Sequence, residues 1–123
     1  MEKIDNLQKL YDLQKKLVER YSNNQYLPEL PLDLTSKDGV KVFRECVFHI
    51  TQELFEAVYH LKNRPSRKEE VTDYNKDAFF EEMIDAFHLM LEAFILAGYS
   101  VEEIVTEYER KNKVNHKRLD KGY

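Results

Sequence analysis

A chain of 123 residues is long enough for one domain with a sizeable core, and only three Gly and three Pro favour helices over a sandwich or barrel. A formal net charge of −4 gives no reason to expect nucleic acid as a partner, and fifteen aromatic residues exclude a disordered acidic chain. One cysteine, Cys46, excludes an internal disulfide, and the sequence has neither a long uncharged run nor a signal-peptide core, so a soluble cytoplasmic protein is expected, off the membrane.

Residues 2–22 read as a first helix, with Leu7, Leu10, Tyr11, Gln14, Leu17, Val18 and Tyr21 at spacings of three and four. Gln14 interrupts this apolar stripe. Either it is bonded to a loop, or its amide reads the polar edge of a ligand. Residues 23–37 carry two prolines and turn formers, so they end the helix, and their Leu and Tyr content suggests a loop laid across the core.

A second helix is expected from about Asp38 to Lys62. Val42, Phe43, Cys46, Val47, Ile50, Leu54, Ala57, Val58 and Leu61 form its apolar side, with Cys46 read as a plain core thiol. On another side His49, Glu53, Glu56 and His60 fall within about 60° of one another at the helical turn angle. The polar segment 63–75, broken by Pro65, reads as a mobile surface loop.

The stretch Phe79–Gly98 is apolar on nearly every side and is expected to be the central helix. Asn75 or Asp77 can cap it, and Gly98 suits the left-handed residue at its end. Its narrow polar strip holds Glu81, Glu82, Asp85, His88 and Glu92. Ser100 with Glu103 forms a capping box for a fourth helix over 100–119.

Two carboxylate doublets carry the chemistry. Glu53 and Glu56 are three residues apart on the second helix, as are Glu82 and Asp85 on the third. Residues so spaced lie about 5–6 Å apart on one helical face. Packed antiparallel, the two helices bring four acids together, and all-oxygen ligands suit Mg²⁺, with Mn²⁺ as a substitute. A ferritin-like di-iron centre using His49 or His88 is disfavoured because the Glu-x-x-His pairs are missing, Asp85-x-x-His88 being the nearest approach. His60 and His88 are read as supporting or core residues. On the fourth helix Asn112 and Asn115 continue an apolar stripe begun by Val101, Ile104, Val105 and Tyr108, amid Arg110, Lys111, Lys113, Lys117, Arg118 and Lys121. These cations either complement the helix C-terminus or grip phosphate.

Together these motifs resemble the all-α nucleoside-triphosphate pyrophosphatases, and within them the dimeric dUTPase-like branch of phages and bacteria. ELFE and EMID, with 25 residues between them, are similar to the family's metal motif, and YERKNKVNHKR with the terminal Gly122-Tyr123 is similar to the branch's ending. LQKLYDLQKKLVERY and HLKNRP resemble its first helix and loop. The resemblance implies an all-α bundle of four to five helices, dimerising through helices, that uses Mg²⁺ to cleave dUTP between the α and β phosphates.

It implies metal binding by Glu53, Glu56, Glu82 and Asp85, with Glu53 or Glu56 helping to activate water. Lys111, Asn112, Asn115 and Arg118 would hold the triphosphate, Tyr108 and Tyr123 would close over it, and Gln14 would read the base. Ser66, Val18 and Leu119 stand where the branch often has an aromatic, an Asp or Asn, and a Gln, all near the base or the rim. They keep open a MazG-like enzyme of broader or dCTP preference. A helical regulatory protein retaining the fold is the non-enzymatic alternative, which the complete set of acids and cations opposes.

Overall fold

In the computed structural model, which describes residues 5–24, 27–63 and 65–122, the chain forms four helices: α1 (Asn6–Asn23), α2 (Lys37–Tyr59), α3 (Lys76–Ala97) and α4 (Val101–Asp120). Each starts on a side chain that satisfies an otherwise unpaired backbone N–H. The Asp5 carboxylate accepts from the Gln8 amide at 3.1 Å, Ser36 Oγ from Gly39 at 2.9 Å, and Asn75 Oδ1 from Ala78 at 3.1 Å. At α4 the capping box is complete, since Ser100 Oγ accepts from the Glu103 amide and Glu103 Oε1 from the Ser100 amide, both at 3.2 Å. Asn75, not Asp77, caps α3, and Gly98 ends it at φ 86°, where a side chain would also meet Pro31.

α2 and α3 form the most extensive helix pair, and α1 packs on α3 and α4. Contacts at 46 with 92 and at 60 with 82 run in opposite chain directions, so the α2–α3 hairpin is antiparallel. Ala57, Ala86 and Ala93 are buried on it, and such small side chains let two helices approach closely. The core gathers Tyr11 and Val18 of α1, Cys46 and Ile50 of α2, Ala93, Ile95 and Leu96 of α3, and Val101 of α4. As expected, the proline-rich loop is laid across it. Leu32 is buried in the core and its amide donates to Leu96 O at 2.8 Å. Tyr11 fastens α1 to the α3–α4 corner by donating its hydroxyl to Tyr99 O at 2.6 Å.

α3 is central along only part of its length. Leu91, Ala93, Ile95 and Leu96 are buried, but Phe80, Met83, Ile84, Phe87 and Met90 are exposed, Phe80 by 66%. With exposed Val47, Leu54 and Val58 of α2 they form one apolar side of the hairpin, which includes a groove of about 310 Å³ lined by Val47, Ile50, Met90 and Phe94 among others. The helix pattern expressed an apolar perimeter; one chain covers only part of it.

The first turn of α2 sits directly on the Asp33–Ser36 turn. A Cβ at Gly39 would lie 2.0 Å from Asp33 O, a backbone atom that cannot step aside. Gly39→Ala is therefore expected to destabilise the protein by about 1–3 kcal/mol or more. The exposed neighbour Val40→Ala should cost less, and urea denaturation of both variants measures the difference.

Candidate functional site

The two carboxylate doublets meet where α2 and α3 cross. On α2, Glu53 falls on the same side as Ala57, one turn later, so the packing that buries Ala57 also turns Glu53 toward α3. On α3, Glu82 and Asp85 flank buried Ala86 in the same way. One oxygen from each of Glu53, Glu82 and Asp85 lies within 4.8 Å of the others, and all three side chains are half-buried. Glu56 is half-buried on the same face but outside this group of three; its charge still bears on Glu53.

Electrostatics make this arrangement costly as it stands. Glu53 Oε2 is buried and has no hydrogen-bond donor. Its neighbours are carboxylates, which are acceptors like itself when ionised. A buried, unpaired charge is expensive, and two remedies exist: a shared proton or a cation. The first shows in the acidity of Glu53, which is pushed up from an ordinary 4.5 to about 7, foremost by a shared hydrogen bond with Glu82, then by burial and by the charge of Glu56. The second is what three converging oxygen donors offer a hard divalent ion. The donor set therefore fits Mg²⁺ or Mn²⁺.

The polar row continues in both directions. Toward the loop, His60 Nε2 stands 3.9 Å from Glu82 Oε1. The helical pattern placed His60 on the acid face without giving it a partner; the antiparallel register supplies one. Toward the core, the Cys46 thiol donates to Leu89 O at 3.5 Å and to Glu92 Oε2 at 3.8 Å. Cys46 is buried in the core, burial pushes its thiol up to about 12, and burial raises Glu92 as well. His49 and His88 are both exposed and do not join the three acids, so His88 is not a core residue.

The remaining expected site residues lie elsewhere. Gln14 is only 6% exposed on α1 and makes no hydrogen bond to any described residue, so its amide is not tied to a loop. Lys111, Asn112, Asn115 and Arg118 form one exposed stripe of α4, and Tyr108 beside them is 72% exposed. The stripe does not continue a packed face. Beyond Ile104 only Val114 is half-buried, because the one helix neighbour of α4 among the described residues is α1. Tyr123 lies outside the described residues, as does Arg64 of the Asn-Arg-Pro loop. That loop is closed at its base rather than loose: Asn63 Nδ2 donates to Val71 O at 2.8 Å and Asn63 Oδ1 accepts from the Val71 amide at 2.7 Å.

Residues 32–123 match the family model for dUTPase, dUTPase_2. A protein of Enterobacteria phage LZ5 named dCTP pyrophosphatase is 29% identical over 149 aligned positions, covering 100% of this chain and 86% of the relative. A dCTP pyrophosphatase of Enterobacteria phage T4 is 45% identical over 42 residues, 34% of this chain and 25% of the relative. No solved structure matches the chain significantly. Among the described residues no single helix is long and apolar enough to cross a membrane.

A pH dependence follows from the crowded acids. Folded, Glu53 keeps its proton up to about pH 7; unfolded, it releases it near 4.5. The stability that this proton contributes is complete below the unfolded value and is lost as pH rises through the folded one. Thermal melts in chelator should show a falling midpoint between about pH 5 and 8. Added Mg²⁺ should reverse the fall, and Glu53→Gln should flatten it. A slope that is the same in Glu53→Gln and wild type would show that these acids are not the cause.

Proposed function

The chain belongs to the dUTPase family of all-α nucleoside-triphosphate diphosphatases, and from that membership and its acid cluster we propose that it hydrolyses dUTP, or a closely related deoxynucleotide, to the monophosphate and pyrophosphate at a Mg²⁺ centre. The observation that carries the reading is the convergence of Glu53, Glu82 and Asp85 around a buried carboxylate oxygen that has no donor.

Glu53, Glu82 and Asp85, with Glu56 beside them, would hold the cation, for which Mn²⁺ could substitute. Bound there, a divalent ion neutralises charge on the phosphates and lowers the pKa of water. Glu56, on the same face but outside the group of three, is the carboxylate left to take the proton from the attacking water. The new bond joins that water oxygen to the α-phosphorus, and the bridging oxygen to the β-phosphorus leaves with pyrophosphate. Lys111 and Arg118 oppose the triphosphate charge, Asn112 and Asn115 donate amide hydrogens to its oxygens, and Tyr108 and Tyr123 close over it. Gln14, which bonds to no other described residue, offers a donor and an acceptor to the base edge.

A second copy of the chain completes this reading. α4 leaves α3 at a bend of 109°. In this reading the stripe from Lys111 to Arg118 serves the acids of a partner. The uncovered apolar side of the α2–α3 hairpin, carrying Leu54, Val58, Met83 and Phe87, is the surface such a homodimer would bury.

A dCTP preference is the second reading, favoured by the names of both phage relatives, and Ser66, Val18 and Leu119 depart from the pattern of the dUTPase-like branch. A nucleotide panel with Mg²⁺, assayed for pyrophosphate, decides between them. Turnover of dUTP at least equal to that of dCTP supports the first, while a tenfold advantage for dCTP replaces it with the second. No turnover of any nucleotide, with Mn²⁺ as well, would end both. Glu53→Gln and Asp85→Asn should each lower the rate by about 100-fold or more, since a cation at the reacting phosphate is worth several kcal/mol. For the dimer, light scattering should give twice the chain mass, and the pair Val58→Lys with Phe87→Asp should halve it; a wild-type monomer would contradict the shared site.

A further inference from the structure

We propose that His60 is the positioning residue of the metal centre, holding Glu82 from the loop end of the α2 face that also carries Glu53. The proposal rests on the reading of the three acids as a metal site. His60 lies seven residues after Glu53 and four after Glu56, so it shares their helical face. Its ring Nε2 is 3.9 Å from Glu82 Oε1, and the two side chains are 31% and 23% exposed, enough to limit their choice of rotamer. That distance exceeds a direct hydrogen bond; a small ring rotation or one bridging water closes it.

The backbone around His60 is itself anchored. Its amide donates to Ala57 O at 3.1 Å, and the next amide, that of Leu61, to Val58 O at 2.9 Å. Three residues further on, Asn63 ties the loop base to Val71 through two hydrogen bonds. The ring is therefore rooted in the last turn of α2 and does not travel with the loop.

The surroundings give this histidine its importance. Among the described residues, no lysine or arginine pairs with Glu53, Glu56, Glu82 or Asp85; the other ion pair joins Arg110 to Glu107 on exposed α4. Glu82 thus faces carboxylate acceptors and, toward the loop end of the same α2 face, one imidazole. A donor there fixes which carboxylate oxygen Glu82 turns toward the cation. Partners that orient a ligating carboxylate in this way are typically worth about 10–100-fold in metal affinity.

The test is Mn²⁺ binding by the full-length protein without nucleotide, read from the electron paramagnetic resonance signal of free Mn²⁺. His60→Ala should weaken binding by about 10–100-fold, and His60→Gln, which keeps an N–H, should recover part of the loss. In rate assays the metal concentration for half-maximal activity should rise in step, with little change at saturating metal. Circular dichroism should be unchanged. Wild-type Mn²⁺ affinity in His60→Ala would overturn the proposal, as would a rate loss at saturating metal with affinity intact, which would place His60 on the substrate. Equal weakening in both variants with a lower melting temperature would reduce it to a helix-end residue. Glu82→Gln separates the two levels. If it abolishes binding while His60→Ala does not weaken it, only the role of His60 falls. If wild type binds no Mn²⁺, the metal centre falls with it.

Discussion

Like charges held together in a half-buried place are the constraint on which this molecule turns. α2 and α3 bring Glu53, Glu82 and Asp85 within reach of one cation, and the Oε2 of Glu53 has no donor of its own. Water cannot relieve it, since the atom is buried, and the adjacent groups only accept. Without a cation the fold responds by holding a proton, which is why Glu53 keeps its acid form to about pH 7. The same crowding that costs stability sets three carboxylate oxygens where a divalent ion would fit, and packing elsewhere in the fold holds them there.

That packing energy comes from small residues and a rooted hairpin. Ala57, Ala86 and Ala93 let the two helices approach, and the core beneath them is closed by Leu32 and by the Tyr11–Tyr99 bond. The hairpin thereby acquires two sides of opposite character. One carries the acids, with His60 at its loop end and the Cys46–Glu92 contact toward the core. The other carries Val47, Leu54, Val58, Met83, Phe87 and Met90 in the open. A chain of this length has one helix, α1, to lay on α3, and α4 points away at 109°. The apolar side lies open in the single chain, and the cationic stripe of α4 is exposed along its length.

Much of this was legible in the sequence because helical geometry is local. The i, i+3 spacing of Glu53 with Glu56 and of Glu82 with Asp85 already puts each pair on one face. The Ser100–Glu103 box and Gly98 mark the α3–α4 corner from side-chain chemistry alone. Cys46 was recognisable as core from the apolar run around it. The bulky perimeter of α3 misled in one respect: periodicity tells which residues are apolar but not how many are covered by the same chain. The Asn112 and Asn115 stripe, read as a break in a packed face, is exposed in the structure.

The sequence by itself determined the helices, their caps, the two acid pairs and the cationic stripe, because each depends on residues within a turn or two of one another. Only the tertiary structure decided which acids converge. The antiparallel register of α2 on α3 selected Glu53, Glu82 and Asp85 and left Glu56 at the edge. It set His60, a residue without a partner along its own helix, beside Glu82. Register and crossing are properties of two helices at once, set by how their small and large side chains interlock, and spacing along either helix alone does not contain them.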